Sequence, residues 1–396
     1  MSEFKLRAWW AHRQGLLSRS QAQPHEILSS LGWARGVGGS NIYHVLFSRG
    51  GISREQADAS VETQKVQELP SVRGCTYFIP HSDFGLALRL GQGKSDASAM
   101  RTAVNFLGVT QSEINELMKK VESVLQDGPS NPATLKSKLG DAVRHLGDEG
   151  KKRGQTTTLP LALGFLQTSG RIRRIPVGGR LDAERYDYAI WDGPAIPNMN
   201  LTDEEIELEF AKKYFRWIGP ASESEFRWLS GFSAKSAKRV MSELKLVPIE
   251  PGSDLMLPLD DKEAFDLWDA PSDPVYRFIS NLDNLVHLRR NVVSLIDPSN
   301  HDRPSPGDKK LGSVSGLSDL DTQAIIDRGE IIGLWEFDPE KGEIAYQLWR
   351  KEDDSFREEL ELTQQYIREQ LGEFRSFSLD SPSSRKPRID FLRNSS

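Results

Sequence analysis

The sequence predicts an α+β fold in which groups of short helices alternate with two-stranded ribbons, and three observations predict it. Apolar residues recur at helical spacing in short blocks. Each group of blocks is followed by a pair of short apolar runs separated by turn residues. Gly, Pro and Ser clusters punctuate the chain between them. A length of 396 residues suggests two or three globular units at a prior of ~150 residues each. With 37% hydrophobic and 27% charged residues, the chain reads as an ordinary folded protein.

The blocks define the order of elements. Residues 4–17 carry Phe4, Ala8, Trp9, Ala11, Leu16 and Leu17 at helical spacing. Pro24 opens a short helix that stops at Gly32. Gly36, Gly38 and Gly39 form a loop before the apolar stretch 42–47. Ser53 with Gln56 makes a capping box for the next helix. Residues 66–69 and 75–79 then read as two strands that turn at Pro70-Ser71. Helix, helix, helix, ribbon is the winged-helix order, and it recurs. The second unit has helices over 110–125, 133–139 and 159–168, then a hairpin of 171–176 and 186–190 with Gly178-Gly179 at its tip. In the third, Thr202 and Glu205 cap a helix that ends at Gly219-Pro220. Residues 222–229 and 233–244, split by Gly231, have helix-turn-helix spacing, and a wing follows around Pro251-Gly252. The unit boundaries expected are 1–93, 94–195 and 196–273. In 274–375, residues 302–318 read as a loop, 330–337 and 343–349 as a hairpin, and 352–371 as an amphipathic helix. Residues 376–396 read as a mostly disordered, flexible tail.

Composition narrows the function. No apolar run approaches the ~20 residues of a membrane span, and no signal peptide is evident, so the expected location is cytoplasmic. Cys75 is the single cysteine, which precludes an internal disulfide; it reads as a small buried apolar residue. The seven histidines show no HExxH spacing, and neither a metal nor a cofactor is expected. A net charge of −6 argues mildly against a nucleic-acid partner. The charge is segregated, however: 201–209 and 253–273 are acidic, 171–185 and 235–245 basic. Segregation can hide a basic face on an acidic protein, or reflect ordinary solvated helices. Winged helices also serve as protein-interaction modules, but three in tandem favour DNA, where a helix enters the major groove and a wing follows the backbone.

Several stretches resemble the AlkZ-like (YcaQ-like) DNA glycosylases, tandem winged-helix enzymes that excise alkylated bases and unhook interstrand crosslinks. Arg13-Gln14-Gly15-Leu16 ends the first helix as in that family. Arg73-Gly74-Cys75-Thr76-Tyr77-Phe78-Ile79-Pro80 is similar to its "RGTLHLVP" strand. The stretch 163–174 resembles its second wing. Ala211-Lys212-Lys213-Tyr214-Phe215, then Gly219-Pro220-Ala221 and 226–231, match its "ARRYFRAFGPAT…FAWWSGL". Asp283-Asn284-Leu285 with Arg289-Arg290 resembles "DNLLWDRRR", and 328–339 its C-terminal barrel strands. The resemblance implies a C-shaped body of three winged helices held by a small C-terminal β-barrel-like domain over 274–375. It implies a basic concave surface for double-stranded DNA, a monomer, and hydrolysis of an N-glycosidic bond.

One departure stands out. The family's Gln-x-Gln or Gln-x-Asp motif follows an "LGG"-like helix end; aligning Leu31-Gly32 puts Arg35 and Val37 in the two catalytic positions. Arginine stays protonated and cannot act as a general base, and valine cannot hold water. Gln21-Ala22-Gln23 precedes the helix that should come before the motif, and reads as solvated loop. Asn41 and His44 follow the Gly-rich loop and are candidates for the same cleft, although a packed core histidine is the plainer reading. Glu68 and Asp83 could position a water or serve as surface or capping carboxylates. Candidate DNA contacts are Arg73, Arg171, Arg173, Arg174, Lys212, Lys213, Lys235, Lys238, Arg239, Arg289 and Arg290. Trp9, Trp10 and Trp33 read as core. Three functions fit: a glycosylase with a replaced catalytic group, a non-enzymatic DNA-binding damage sensor or regulator, or a protein-interaction scaffold.

Overall fold

The computed structural model describes residues 2–183, 185–306, 309–310 and 320–394. The first segment holds α1 (Glu3–Arg13), α2 (Pro24–Leu31), β1 (Ala34–Arg35), α3 (Asn41–Gly50), α4 (Arg54–Glu62), β2 (Val66–Pro70) and β3 (Thr76–Pro80). It closes with α5 (Phe84–Gly91), and the second holds α6 (Ser95–Leu107), α7 (Gln111–Leu125), α8 (Pro132–Leu139), α9 (Gly147–Lys152), α10 (Leu159–Thr168), β4 (Ile172–Pro176) and β5 (Tyr186–Ile190). The third holds α11 (Asp203–Ile218), α12 (Glu223–Ser230), α13 (Ala234–Glu243), β6 (Leu246–Pro248), β7 (Met256–Pro258) and α14 (Leu259–Leu267). The last holds β8 (Tyr276–Ile279), α15 (Asn284–His287), β9 (Pro304–Ser305), β10 (Lys309–Lys310), β11 (Gln323–Asp327), β12 (Glu330–Asp338), β13 (Glu343–Leu348), α16 (Asp354–Tyr366) and α17 (Pro382–Asn394).

Local chemistry accounts for most helix starts. Ser53/Gln56, Thr110/Glu113, Thr202/Glu205 and Ser222/Glu225 form reciprocal capping boxes, each satisfying two otherwise orphaned N–H groups. The Glu26 carboxylate accepts the Gln23 N–H at 2.7 Å, so the 21–23 loop serves the start of α2. On α11, Ile206, Phe210, Tyr214, Phe215, Trp217 and Ile218 are buried, and their spacing forms the apolar face on which α13 and α5 pack. Residues 84–107, a stretch without a predicted element, form α5 and α6. Phe84, Leu86, Leu88 and Leu90 alternate like a strand, yet all four are buried on a helix enclosed on every side.

Helix α1 contributes to the third segment rather than to its own. Trp9 and Trp10 donate their indole N–H groups to the carbonyls of Gly219 and Pro220, each at 2.9 Å. The first segment is tied to the last through Arg49 and Asp283, which pair at 2.7 and 2.8 Å with neither side chain exposed. Asn284 reaches the Leu31 carbonyl at the end of α2. The stretch 283–285 thereby anchors the helix that leads into β1.

Two expectations for the C-terminal part need correction. The described strands do not close into a barrel. They form an open antiparallel sheet, β13-β12-β11-β8, with α16 against both edge strands. The tail through Asn394 is ordered: α17 packs on β12 and β13, with Arg385 fully buried and Ile389 and Leu392 in the core. Its cations find carboxylates on the sheet: Arg388 lies 2.9 Å from Glu336 and Arg393 2.8 Å from Asp338. Burial pushes the Glu336 carboxyl up to about 7, against the pull of Arg388. Of the loop expected over 302–318, residues 307–308 and 311–319 lie outside the described residues.

Candidate nucleic-acid interface

After α2, Ala34 and Arg35 form a third strand of the first sheet. Ala34 pairs with Phe78 and Arg35 with Tyr77 on β3, and the Gly36 N–H donates to the Thr76 carbonyl at 2.9 Å. Arg35 folds back over this sheet. Its Nη1 donates to the same Thr76 carbonyl at 3.0 Å, and its guanidinium lies 5.2 Å from the Tyr77 ring centre. The loop beyond is held by the C-terminal chain. Ser40 N–H donates to the Arg375 carbonyl, and Ser378 N–H to the Val37 carbonyl, at 2.8 and 3.1 Å. At Gly39 a Cβ would meet the Ser376 carbonyl oxygen at 2.5 Å, so only glycine lets the two backbones pass.

Around Arg35 the segments meet in a seam of cations and aromatic rings. Tyr77 faces His287 at 6.3 Å between ring centres, and His287 meets Trp228 of α12 edge-on at 5.6 Å. Arg73, between β2 and β3, lies 4.4 Å over Trp228 and donates to its carbonyl at 3.2 Å. Arg73 holds a left-handed backbone at φ 58°, uncommon for a side chain this long. Arg290 lies over the same indole at 4.9 Å. On the far side of Gly36 lies Glu68, buried on β2: a Cβ at residue 36 would come within 2.9 Å of its Oε1. Arg174, from the second segment's ribbon, sits 3.8 Å from Glu68 and 4.9 Å from the Tyr186 ring. Guanidinium groups on aromatic faces keep donors available for phosphate, and rings beside them can stack on bases.

Of the residues predicted for the site, Arg35, Arg73, Arg174 and Arg290 come together here. Asn41 and His44 are corrected to structural roles. Asn41 is buried, donating to the Arg35 carbonyl and accepting from Ser280. His44 is fully buried, with Nε2 2.6 Å from the Phe278 carbonyl, and burial lowers its pKa to about 4. A neutral imidazole enclosed this way supplies no charge to a cleft. Val37 is half-buried with its carbonyl taken. Arg289 is likewise internal: it pairs with Glu225 at 2.7 Å and stacks 3.4 Å over Trp10. Asp83 is buried, accepting from the Trp33 indole and pairing with Lys213 at 2.9 Å. Arg171 pairs with Glu122, Arg173 with Asp192, Lys212 with Glu209, and Arg239 with Glu207 and Glu243. Lys235 and Lys238 stand exposed on α13, with no ion pair among the described residues. Tyr77, Trp228 and His287 were not singled out. Trp228 had a signal: it falls off the apolar stripe of Phe226 and Leu229 on its helix.

No described cluster of His, Cys, Asp or Glu could hold a metal ion, and no described helix is long and apolar enough to cross a membrane. No curated protein matches the sequence. Among solved structures, the Streptomyces sahachiroi DNA glycosylase AlkZ superposes with a TM-score of 0.68 at 17% identity, over 95% of this chain and 98% of that one. The sequence pattern of the family described as DNA glycosylase AlkZ-like matches residues 17–377, from the end of the first helix to the strap behind the Gly-rich loop. This chain therefore belongs to the AlkZ-like DNA glycosylase family.

Proposed function

We propose that this chain is a cytoplasmic DNA-repair hydrolase, monomeric, that grips double-stranded DNA with three winged-helix units and hydrolyses the N-glycosidic bond of an alkylated or crosslinked base. The observation that carries the reading is the convergence of three segments on Arg35 and Gly36: Arg73 and Tyr77 from the first, Arg174 from the second, Trp228 from the third. Glu68 takes the part that Arg35 and Val37 cannot. Its carboxylate orients a water and accepts its proton as the oxygen bonds to the sugar C1′. The C1′–N bond breaks, and the base leaves with the bonding electrons. Arg174 offsets the charge that Glu68 carries out of water. The test is incubation with duplex containing N7-methylguanine, followed by alkaline cleavage of abasic sites. Cleavage that Glu68→Gln abolishes supports the proposal. No abasic product on a panel of alkylated and crosslinked duplexes rejects it.

A second reading has its own observation: neither motif position carries a group able to activate water, and the Val37 carbonyl is bonded to the C-terminal chain. A damage sensor or regulator that kept the scaffold would bind the same duplexes and release no base.

A further inference from the structure

Beyond α16 the chain passes behind the Gly-rich loop and then forms α17, which lies outside the residues 17–377 that carry the family's pattern. The passing strap holds the loop by its backbone. Ser40 donates to the Arg375 carbonyl, Arg375 donates back to Ser40 Oγ at 3.1 Å, and Ser378 donates to the Val37 carbonyl. Gln323 of β11 donates to Ser376 Oγ at 2.7 Å, which ties the strap to the sheet. Helix α17 in turn grips the strap. Arg385 donates to the Phe374 carbonyl and pairs with Glu373 at 3.0 Å. Arg388 Nη2 donates to the two oxygens of Asp380 at 2.8 and 3.0 Å, and its Nε lies 2.9 Å from Glu336 on β12. The contacts run in one line, from the sheet through α17 and the strap to the loop that follows Arg35.

We infer that α17 is a clasp: docked on the sheet it pins the loop 36–40, and undocking frees that loop beside Arg35. The clasp carries its own release. Glu336 is fully enclosed beneath α17, and its Oε2 meets no donor among the described residues. The charged groups that face it are Arg388 and Arg385 of α17 and Asp380 of the strap, while β13 opposes it with Ala345. Arg388 is already neutralised by Asp380, so an ionised Glu336 would set a second carboxylate on one guanidinium. Burial accordingly holds the docked carboxyl up at about 7, and in water it returns to its ordinary 4.5. The docked form therefore binds the extra proton: this contribution to docking is full below pH 4.5 and is lost as pH rises through 7. The loop is held tightly in acid and loosened above neutrality, whether or not the seam binds DNA.

The test is backbone hydrogen exchange on the full chain, read at Ser40 and along α17, with α7 of the second segment as reference. Arg388→Met removes a cation from the clasp, and Leu392→Asp puts a carboxylate into its buried apolar contact. Each is expected to speed exchange at α17 and at Ser40 about tenfold or more and to leave α7 as in the wild type. In the wild type, protection at Ser40 corrected for the intrinsic rate should fall about fiftyfold from pH 5 to pH 8, and Glu336→Gln should flatten that fall. Exchange that quickens at α17 but not at Ser40 overturns the clasp, as does an α17 that stays protected in both variants. A pH dependence that persists unchanged in Glu336→Gln overturns the release by Glu336.

Discussion

The arginines of the interior and those of the seam are held by different chemistry. Arg49, fully buried, gives both terminal nitrogens to Asp283 and one also to Gln14. Arg289 gives one to Glu225, and Arg385 pairs with Glu373 at 3.0 Å. Arg35 and Arg73 instead donate to single backbone carbonyls and rest on Tyr77 and Trp228; neither has a carboxylate within ion-pair distance among the described residues. A guanidinium taken out of water needs a carboxylate to offset its desolvation. One that lies on an aromatic face at the surface keeps most of its donors for something else. The same residue type is structural scaffold in one place and a candidate phosphate contact in the other, and only the partner tells which.

The difference can be broken first in the interior. Asp283→Ala leaves Arg49 buried without its counter-charge and should cost ~3–5 kcal/mol of stability; a thermal melt unchanged from wild type would contradict the structural role. His44 tests the same interior by pH. Its folded pKa of about 4 lies below the unfolded 6.5, so the unfolded chain binds more protons between these values. Stability is therefore full above pH 6.5 and declines as pH falls toward 4, by ~3 kcal/mol from this group. His44→Gln should flatten that acid limb in denaturant titrations. Glu336, raised to about 7 by burial, works in the opposite sense and loses stability as pH rises from its unfolded value toward 7.

The seam should respond in binding and hardly in stability. Arg35→Ser and Arg73→Asn should each weaken duplex binding several-fold, equally across sequences, and lower the salt slope by about 1. Asparagine suits residue 73 because it tolerates the left-handed backbone found there. On α13, charge reversal at Lys235, Lys238 and Arg239 should weaken binding and flatten its salt dependence. Unchanged affinity and slope in anisotropy titrations would remove that helix from the interface.

How much of this was legible in the sequence depends on the range of the interaction. The capping boxes at Ser53 and Thr202 and the apolar stripe of α11 are local, and the order of elements could be read from them. Helix α5 could not, because its alternating leucines look like a strand until both sides are covered. Helix α17 could not, because the carboxylates that hold its arginines sit some fifty residues away on β12. Arg35 and Arg73, which the structure brings to one seam, were singled out from the order of motifs. Asn41 and Arg289 were misjudged because their distant partners, Ser280 and Glu225, cannot be read from the sequence, whereas His44 fits its plainer reading as a packed core histidine.

The most direct test is duplex affinity measured against salt for the wild type and for the Arg35→Ser/Arg73→Asn double variant. The account predicts that the logarithm of the wild-type affinity falls linearly with the logarithm of salt. It predicts a slope shallower by about 2 in the double variant, at equal folded stability. A wild type that binds no duplex, or a double variant with the same slope and affinity, would contradict it.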